Sequence, residues 1–466
     1  MSIGGYRGLK YDVIVVGAGV AGLNAAFVLA SKGFNVAIIE SKPRSRIGDK
    51  TCGDAIGVHH FKELGWYPPE ETIDHRYKGV KIYSPSEKYS IIVSGEGVSV
   101  NRLKFGQWLL KRAEDNGAVL LDKHVLLGVK FNDNGIQSIK VKELGKPGLK
   151  ELVADAFIDT SGAKPALRSK LPLEWPISER PYMTDYNIAY REVLEINEPV
   201  NDEDVDYAVI YLNTIIAPGG YWWFFPKNPS GKIVNVGLGV VWGVDDYNPR
   251  HNYNKYLKPR FKGKLLHAGG GMVPTRRPLP TLVWRNVGVA GDAAYTVNPV
   301  HGGGIGSSLQ ASAIVAKYIG DALEKGIVDE TTTWQANKEY MQAYGAKQAA
   351  LDILRMYLQK LSNEEFEWIM KNKIVDGKSI YDLGTHARLI EEVVHGISSM
   401  LRLLSKPTLL NQLRIVRNYM NKVKELYLDK YPETPEKLYE WMEVVEKTYN
   451  EYRAQIKYDP GQKVKW

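Results

Sequence analysis

The stretch YDVIVVGAGVAGLNAAFVLASKGFNVAIIE, residues 11–40, decides the fold of the first part of the chain. It begins with a short apolar run, continues into a segment rich in small residues and ends in a second apolar run that finishes at Glu40. Two apolar runs of strand length on either side of a helical segment are typical of a βαβ unit. The stretch therefore predicts an α/β domain built on a parallel sheet.

The turn after the first predicted strand carries the pattern G-x-G-x-x-G. Gly17 permits the tight turn, Gly19 lets the backbone approach a pyrophosphate, and Gly22 allows close helix packing at a helix N-terminus that faces the anion. Glu40 ends the second strand, where a carboxylate accepts a hydrogen bond from a ribose hydroxyl and disfavours a 2′-phosphate. We expect a Rossmann-like dinucleotide site that includes these four residues and Ala18.

Composition points to several domains and to an anionic partner. The chain has 466 residues, of which 44% are hydrophobic, and this length exceeds what one core normally serves. Its 61 basic and 53 acidic residues give a net charge of +8, which favours phosphate cofactors, nucleic acid or acidic lipid headgroups. The sequence carries no RNA-recognition signature, basic low-complexity tail or zinc finger, so we expect no nucleic-acid partner.

The sequence also restricts where the protein works and what it binds. No apolar run reaches the roughly 18 residues that would span a bilayer, and the N-terminus lacks the pattern of a signal peptide. We expect a cytoplasmic protein whose basic surface allows peripheral contact with the inner face of the cell membrane. Cys52 is the single cysteine, and no Cys or His cluster has ligand spacing, so we expect no metal site.

The order of patterns along the chain predicts a first domain that is interrupted and later resumed. Runs rich in Tyr, Val and Ile at 76–100 and from about 170 indicate antiparallel sheet, and helical patterns dominate after about 330. We expect a Rossmann-like cofactor domain, an inserted antiparallel β-sheet domain for the substrate and a helical C-terminal domain. Their predicted ranges are 1–75, 101–168 and 284–328 for the first, 76–100 and 169–283 for the second, and 329–466 for the third.

Several local signals predict individual elements. NRLKFGQWLLKRAEDNGA (101–118) predicts a helix, and the Asn-Gly pair in GVKFNDNGIQSIKVKEL (128–144) predicts a hairpin. In the last third, Leu351, Leu354, Leu358 and Leu361 have helical spacing, and Ser362 with Glu365 forms a capping-box signature. HARLIEEVVHGISSMLRLLSKP (386–407) and TLLNQLRIVRNYMNKVKELYL (408–428) predict further helices.

A second glycine-rich segment, GVAGDAAYTVNPVHGGGIG (288–306), bears on which dinucleotide binds. The carboxylate of Asp292 can accept hydrogen bonds from the ribityl hydroxyls of a flavin. The N–H groups of the following helix can face the pyrimidine edge of the ring and stabilise negative charge there. The residues alone leave two interpretations, a cofactor cradle or a glycine-rich crossover.

Four motifs together resemble the FAD-dependent group that includes para-hydroxybenzoate hydroxylase, over about residues 8–325. They are GAGVAG, VNRLKFGQWLL with Arg102, DTSGAKPALR with Asp159 and Arg168, and GDAAYTVNPVHGGGIG with Asp292. Thr160 stands where the group more often has glycine. The resemblance implies FAD as cofactor, bound in part by Arg102, Asp292, Gly303, Gly304 and Ile305.

Within this group the sequence most resembles the archaeal geranylgeranyl reductases, whose substrate domain carries Y-x-W-x-F-P. Tyr221, Trp223, Phe225 and Pro226 match that motif, and DKTCGDAIG (49–57) resembles the Cys-Gly segment of the family. The resemblance implies reduction of isoprenoid C=C bonds in geranylgeranyl chains of archaeal ether phospholipids or geranylgeranyl diphosphate, with a hydride from reduced flavin N5 and a proton.

The aromatic run itself supports two interpretations. On a strand, Tyr221, Trp223 and Phe225 face one side, and Trp222 and Phe224 face the other. Buried aromatic residues are ordinary core, whereas the resemblance implies that the odd-numbered face lines a substrate tunnel. There Tyr221 and Trp223 would stabilise carbocation character.

The proton source stays open between Cys52, Tyr221 and water. The family keeps a cysteine in this segment, which favours Cys52, although a lone free cysteine is commonly only a small buried residue.

Two other functions fit the same fold. One is a flavin monooxygenase or halogenase, and the other is a non-catalytic protein that escorts prenylated lipids. Y-x-W-x-F-P argues against the first and the intact flavin segment against the second. Because no second G-x-G-x-x-G is visible, NAD(P)H binds transiently or a ferredoxin-like protein delivers the electrons.

Overall fold

The computed structural model describes residues 10–198, 202–243, 248–386 and 402–465. The helices that we label are α1 Val20–Ser31, α2 His59–Glu63, α3 Arg102–Asp115, α4 Asp202–Val205, α5 Pro249–Asn252, α6 Ile305–Glu324, α7 Gln335–Tyr340, α8 Ala346–Leu358, α9 Asn363–Lys371, α10 Gly377–His386, α11 Pro407–Leu428 and α12 Leu438–Gln455. The strands are β1 Lys10–Val16, β2 Val36–Ile39, β3 Ala55–Gly57, β4 Ile73–Tyr83, β5 Ser90–Val100, β6 Val119–Leu121, β7 His124–Asn132, β8 Gly135–Glu143, β9 Lys150–Asp159, β10 Tyr186–Ile196, β11 Tyr207–Tyr211, β12 Tyr221–Pro226, β13 Ile233–Val241, β14 Gly263–Pro274, β15 Val283–Trp284 and β16 Val287–Val289.

The first sheet is the predicted α/β layer. Its order is β15-β16-β9-β1-β2-β6. β1 is an internal strand, because it pairs in parallel with β9 on one side and with β2 on the other. Helices α1 and α6 pack together, and the Asn24 amide donates to the Leu309 carbonyl at 3.0 Å. The carboxyl ends of β1, β9 and β16 therefore lie side by side at one edge, where ligands bind in such sheets.

The predicted Asn-Gly hairpin is confirmed, since β7 and β8 pair antiparallel with Asn132 opposite Gly135. The predicted helix after residue 101 is confirmed as α3, whose N-cap Asn101 accepts a hydrogen bond from the Lys104 N–H.

The second sheet has the order β14-β10-β13-β12-β11-β4-β5-β3. The prediction of antiparallel sheet holds for most neighbours and is wrong for β4 and β11, which pair parallel. Two parallel strands need a long connection between them. Here the chain between β4 and β11 includes β5 to β10, of which β6 to β9 belong to the first sheet. Ala55–Gly57 lies within the range predicted for the cofactor domain, yet it pairs with β5 of this sheet.

The last third of the described chain is helical. The capping box at Ser362 and Glu365 is confirmed at the start of α9, and Leu351 and Leu354 are buried in α8, which packs on α11. The run 408–428 is confirmed as helix in α11. Most of the run 386–407 lies outside the described residues. Among the helices that are described, none has both the length and the apolar character needed to cross a bilayer.

Candidate active site

The glycine turn between β1 and α1 has no room for a side chain at Gly17 or Gly22. Gly17 has φ +104, and a Cβ on Gly22 would lie 1.9 Å from the Gly17 carbonyl oxygen. The Thr160 hydroxyl lies 2.9 Å from that same oxygen, so the threonine that departs from the family pattern is built into the turn. No side chain caps the start of α1 at Gly19. The first N–H groups of α1 are therefore suited to a phosphate group.

Glu40 is held beside this turn. Its Oε2 accepts from the Ala18 N–H at 2.8 Å, and its Oε1 accepts from the Lys42 N–H at 2.9 Å. The structure thus brings together Gly17, Ala18 and Glu40 at the carboxyl ends of β1 and β2. The contact of Glu40 with a ribose hydroxyl stays a prediction.

Arg102 is the first residue of α3, and its guanidinium is incompletely satisfied. Nε and Nη1 are buried and have no hydrogen-bond partner among the described residues. The segment before Cys52 crosses α3 at close range, since a Cβ on Gly106 would lie 2.3 Å from the Gly48 Cα. Because a buried cation without a partner is costly, this arrangement fits a bound anionic or carbonyl group of the cofactor.

We expect Arg102→Met to lower the affinity for FAD at least about tenfold, since a hydrogen bond to a charged group contributes roughly 1.5–3 kcal/mol. Titration of the apoprotein with FAD, followed by flavin fluorescence, measures the change. Lys104→Met is the matched control, because Lys104 is an exposed cation on the same turn of α3. Equal FAD affinity in both variants would show that Arg102 does not contact the cofactor.

The second glycine-rich segment lies against the same edge of the first sheet. Asp292 follows β16, and its Oδ2 forms an ion pair with the Lys50 Nζ at 2.8 Å. A Cβ on Gly304 would lie 3.6 Å from Asp292 Oδ1, so the carboxylate sits beside the start of α6. No side chain caps α6 at Gly304, which leaves the first N–H groups near Ile305 for a ligand. Lys50, for which the sequence predicted no role, therefore lies in this site.

The middle motif has a structural role. Asp159 Oδ2 accepts from the Arg168 N–H at 2.7 Å and the Leu167 N–H at 3.0 Å, which closes the loop after β9. The Arg168 side chain turns into the core and donates to the Tyr295 hydroxyl. Tyr295 has φ +58, and this side-chain contact helps to hold its unusual backbone conformation.

The aromatic strand β12 has two buried faces, as its alternation predicts. Trp222 and Phe224 belong to a cluster with Tyr253 and Leu257 on one face of the sheet. Trp223 and Phe225 belong to a cluster on the other face. The even-numbered side chains are therefore core, and the odd-numbered side chains face the Cys52 segment.

Contacts connect the odd-numbered face of β12 to the Cys52 segment and to the glycine-rich loop at 301–304. A Cβ on Gly53 would lie 3.0 Å from the Phe225 ring, and Cys52 is half-buried. The Tyr221 hydroxyl donates to the His301 carbonyl at 2.5 Å. Burial, with Cys52 nearby, raises the pKa of Tyr221 well above its usual value, so the phenol stays protonated at neutral pH.

Pro226 ends β12 away from the loop, and its carbonyl accepts from the Tyr77 hydroxyl at 2.7 Å. Of the matched motif, the structure therefore brings Tyr221, Trp223 and Phe225 to the Cys52 segment, whereas Pro226 is a buried strand end.

Three histidines and a lysine lie next to the glycine-rich loop at 301–304. The sequence did not predict that these side chains form a group. The His59 and His60 rings are 4.1 Å apart, and the His60 ring packs on Gly306 in the first turn of α6. His301 Nδ1 accepts from the Gly303 N–H at 3.1 Å, which leaves the proton of a neutral ring on Nε2. Lys347 extends over the Tyr344 ring at 4.7 Å.

Electrostatics inside this group disfavour positive charge. Desolvation and the neighbouring His60 lower the pKa of His59 to about 4, and desolvation with Lys347 lowers the pKa of His301 to about 4, although both residues keep an exposed surface. Burial also lowers the pKa of Lys347, although the Glu63 carboxylate opposes this. A bound anion would relieve these costs. The sequence offered two signals, the adjacent pair His59-His60 and the position of His301 beside the glycine loop, whereas Lys347 is remote in the chain.

Comparisons with known proteins bear on two segments of the chain. Residues 185–273 match the geranylgeranyl reductase catalytic domain family, and residues 12–51 match an FAD binding domain family. The digeranylgeranylglycerophospholipid reductase of Sulfolobus acidocaldarius is 38% identical over 96% of this chain and 99% of its own length. Digeranylgeranylglycerophospholipid reductase 2 of Methanothermobacter thermautotrophicus is 26% identical over 85% of this chain and 99% of its own length.

Solved structures show the same fold. A geranylgeranyl bacteriochlorophyll reductase-like protein from Thermoplasma acidophilum aligns with TM-score 0.71 at 22% identity, covering 87% of this chain and 99% of that one. The flavin-dependent brominase Bmp2 aligns with TM-score 0.62 at 15% identity, covering 86% of this chain and 99% of that one.

The matched FAD-binding segment contains the glycine turn and Glu40, and the orphaned Arg102 guanidinium fits the same cofactor. The matched catalytic segment contains the aromatic strand. FAD is therefore the cofactor, and the chain belongs to the geranylgeranyl reductase family, together with the digeranylgeranylglycerophospholipid reductases.

Proposed function

We propose that this protein saturates C=C bonds in the geranylgeranyl chains of a phosphate-bearing lipid, either an archaeal ether phospholipid or geranylgeranyl diphosphate. The observation that carries the proposal is the odd-numbered face of β12, which meets the Cys52 segment and the glycine loop at His301. A long isoprenoid chain gains about 0.8 kcal/mol for each CH₂ that it buries, so an apolar face of this kind suits it.

The chemistry needs a proton on one alkene carbon and a hydride on the other. Bound FAD supplies the hydride in its reduced form. Protonation builds positive charge on the more substituted carbon, and we assign its stabilisation to the face of Trp223, which belongs to the odd-numbered face of β12. The reaction therefore requires two things of the protein, an aromatic face that stabilises the cation and a proton donor near it.

Tyr221 and Cys52 differ as proton donors. The Tyr221 proton is directed to the His301 carbonyl, and the raised pKa of the phenol opposes its loss. Tyr221 is thus suited to fix the glycine loop against β12. The Cys52 thiol is the better donor on this face, and water restores its proton after each turnover.

The phosphate of the lipid fits the group formed by His59, His60, His301 and Lys347. His301 Nε2–H and the Lys347 ammonium are donors, and a bound anion would raise the affinity of His59 and His301 for protons. Glu63 and Lys62 on α2, with Lys424 on α11, complete the charges around this group. A headgroup bound beside the loop at 301–304 would lie near one end of the aromatic face.

The electron donor and the membrane contact are parts of this proposal. Reduced nicotinamide or a ferredoxin-like protein supplies the electrons. The enzyme is cytoplasmic, and its net charge of +8 favours peripheral association with acidic lipids at the inner face of the cell membrane.

The experiment that tests the proposal compares geranylgeranyl diphosphate with geranylgeraniol, using reduced holoenzyme and mass spectrometry of the product. We expect each substrate to gain two hydrogen atoms per reduced bond, and the alcohol to need at least about tenfold higher concentration for half-saturation, because it lacks charge-assisted hydrogen bonds. Lys347→Met should remove most of this difference.

The matched control is Lys317→Met, which removes an exposed cation that pairs with Glu339 on α7. An unchanged mass for both substrates would refute the reductase proposal. Saturation of both at equal concentrations would refute only the headgroup site.

A further inference from the structure

Asn235 links the two parts of the proposed site. It lies on β13 opposite Phe225 and is completely buried. Its Oδ1 accepts from Trp223 Nε1 at 3.0 Å, and its Nδ2 donates to the Cys52 carbonyl at 2.8 Å. Nδ2 also lies 3.2 Å from Asp54 Oδ2.

These partners allow only one orientation of the amide. The Trp223 indole can only donate, whereas the Cys52 carbonyl and the Asp54 carboxylate can only accept. Rotation of the amide by 180° would therefore break all three contacts and place like groups together. The position of the Cys52 backbone is thus coupled to the position of the Trp223 ring.

The other side of the Cys52 segment is fixed by charge. Lys227 Nζ lies 2.9 Å from Asp54 Oδ2 and 3.0 Å from Asp74 Oδ2, and the Lys227 and Asp54 side chains are almost fully buried. Asp54 has φ +67, a conformation that non-glycine residues rarely adopt and that persists only where the surroundings enforce it. The backbone after Cys52 is therefore held in one unusual conformation.

We propose that Asn235 is a positioning residue for the reaction: it sets the Cys52 thiol at a fixed place relative to the Trp223 face. A Cβ on Gly53 would lie 3.0 Å from the Phe225 ring, so the segment runs close to the aromatic face and a shift of its backbone changes the distance from Cys52 to that face. This inference rests on the proposed function for its catalytic meaning, whereas the coupling between Asn235 and Cys52 is a property of the protein that can be measured without turnover.

The first test uses Asn235→Leu in the FAD-loaded enzyme and measures the alkylation rate of Cys52, the single thiol, by iodoacetamide. We expect alkylation at least about fivefold faster, because the carbonyl of Cys52 loses its anchor. Lipid-dependent reoxidation of the reduced holoenzyme should be at least about tenfold slower, with half-saturation by the lipid within about threefold of the wild type.

The matched control is Asn337→Leu. Asn337 is also completely buried, accepts from the Leu282 N–H at 2.7 Å and donates to Thr281 Oγ1 at 2.9 Å, far along the chain from Cys52. A general loss of stability affects both variants, but only Asn235→Leu should change Cys52 alkylation. Equal alkylation rates in the two variants would overturn the inference.

Trp223→Phe tests the same coupling with a smaller disturbance, and it decides the matter if Asn235→Leu fails to fold. It removes the indole N–H that fixes the Asn235 amide, so we expect Cys52 alkylation about threefold faster. Trp222→Phe is its control, since Trp222 is also buried, on the other face, and its ring stacks on Tyr211 with centroids 3.6 Å apart. Unchanged alkylation in Trp223→Phe would contradict the coupling.

Failure of the proposed function has a different signature. Full lipid-dependent reoxidation in Cys52→Ala would remove Cys52 as the proton donor, and no reoxidation in the wild type would remove the reductase proposal. Neither result alters the alkylation rates, which alone decide whether Asn235 positions Cys52.

Discussion

Trp223→Leu is expected to slow lipid-dependent reoxidation of the reduced holoenzyme at least 30-fold. An aromatic face stabilises a desolvated cation by about 2 kcal/mol or more, and each 1.36 kcal/mol corresponds to about tenfold in rate. Stopped-flow absorbance of the oxidised flavin band under anaerobic conditions measures the rate constant at saturating lipid.

Trp223→Phe provides the comparison, because it keeps an aromatic face and shares with the leucine variant the loss of the hydrogen bond to Asn235. We expect the phenylalanine enzyme to stay within about fivefold of the wild type. Equal rates in the phenylalanine and leucine enzymes would show that Trp223 acts only by filling space.

Glu179→Gln is expected to lower the free energy of unfolding by about 3 kcal/mol, at the low end of the range for breaking a buried ion pair. Glu179 Oε1 accepts hydrogen bonds at 2.9 Å from Arg276 and from Arg277, the two arginines that follow β14. The loss is moderated because Arg277 keeps its contact with Glu446 on α12, also at 2.9 Å. Urea unfolding at neutral pH measures the difference.

The ion pairs of Glu179 with the two arginines also make the free energy of unfolding depend on pH. Burial opposes the charge, but the two guanidinium groups prevail and lower the pKa of Glu179 to about 2, below its value of 4.5 in the unfolded chain. The stabilisation is therefore complete above pH 4.5 and is lost as the pH falls towards 2. The difference between wild type and Glu179→Gln should shrink over this range.

Glu433→Gln, which removes an exposed partner of Lys338, should change the free energy of unfolding by less than about 1 kcal/mol at any pH. An equally small effect of Glu179→Gln would mean that this buried ion pair does not stabilise the folded protein.

The local features of the site could be predicted from the sequence because neighbouring residues determine them. The spacing of Gly17 and Gly22 reflects a turn whose backbone atoms nearly touch, and the alternation along β12 follows from strand geometry. The identification of α3 and of the capping box at Ser362 depends on equally short-range patterns.

The remaining features depend on contacts between distant segments. Asn235 meets Cys52 across 183 positions, and Lys50 meets Asp292 across 242. Neither pair has a pattern in the sequence, because sheet register and domain packing decide which side chains meet. The parallel pairing of β4 with β11 was missed for the same reason, since no local signal determines the order of strands in a sheet.

The central claim is FAD-dependent reduction of isoprenoid double bonds, and one anaerobic measurement tests it most directly. The bound flavin is reduced chemically, a geranylgeranyl-bearing phospholipid is added, and the oxidised flavin band is followed. We expect the band to return with this lipid and not with its fully saturated counterpart. Persistence of the reduced flavin with both lipids until air is admitted would contradict the claim and favour a flavin monooxygenase.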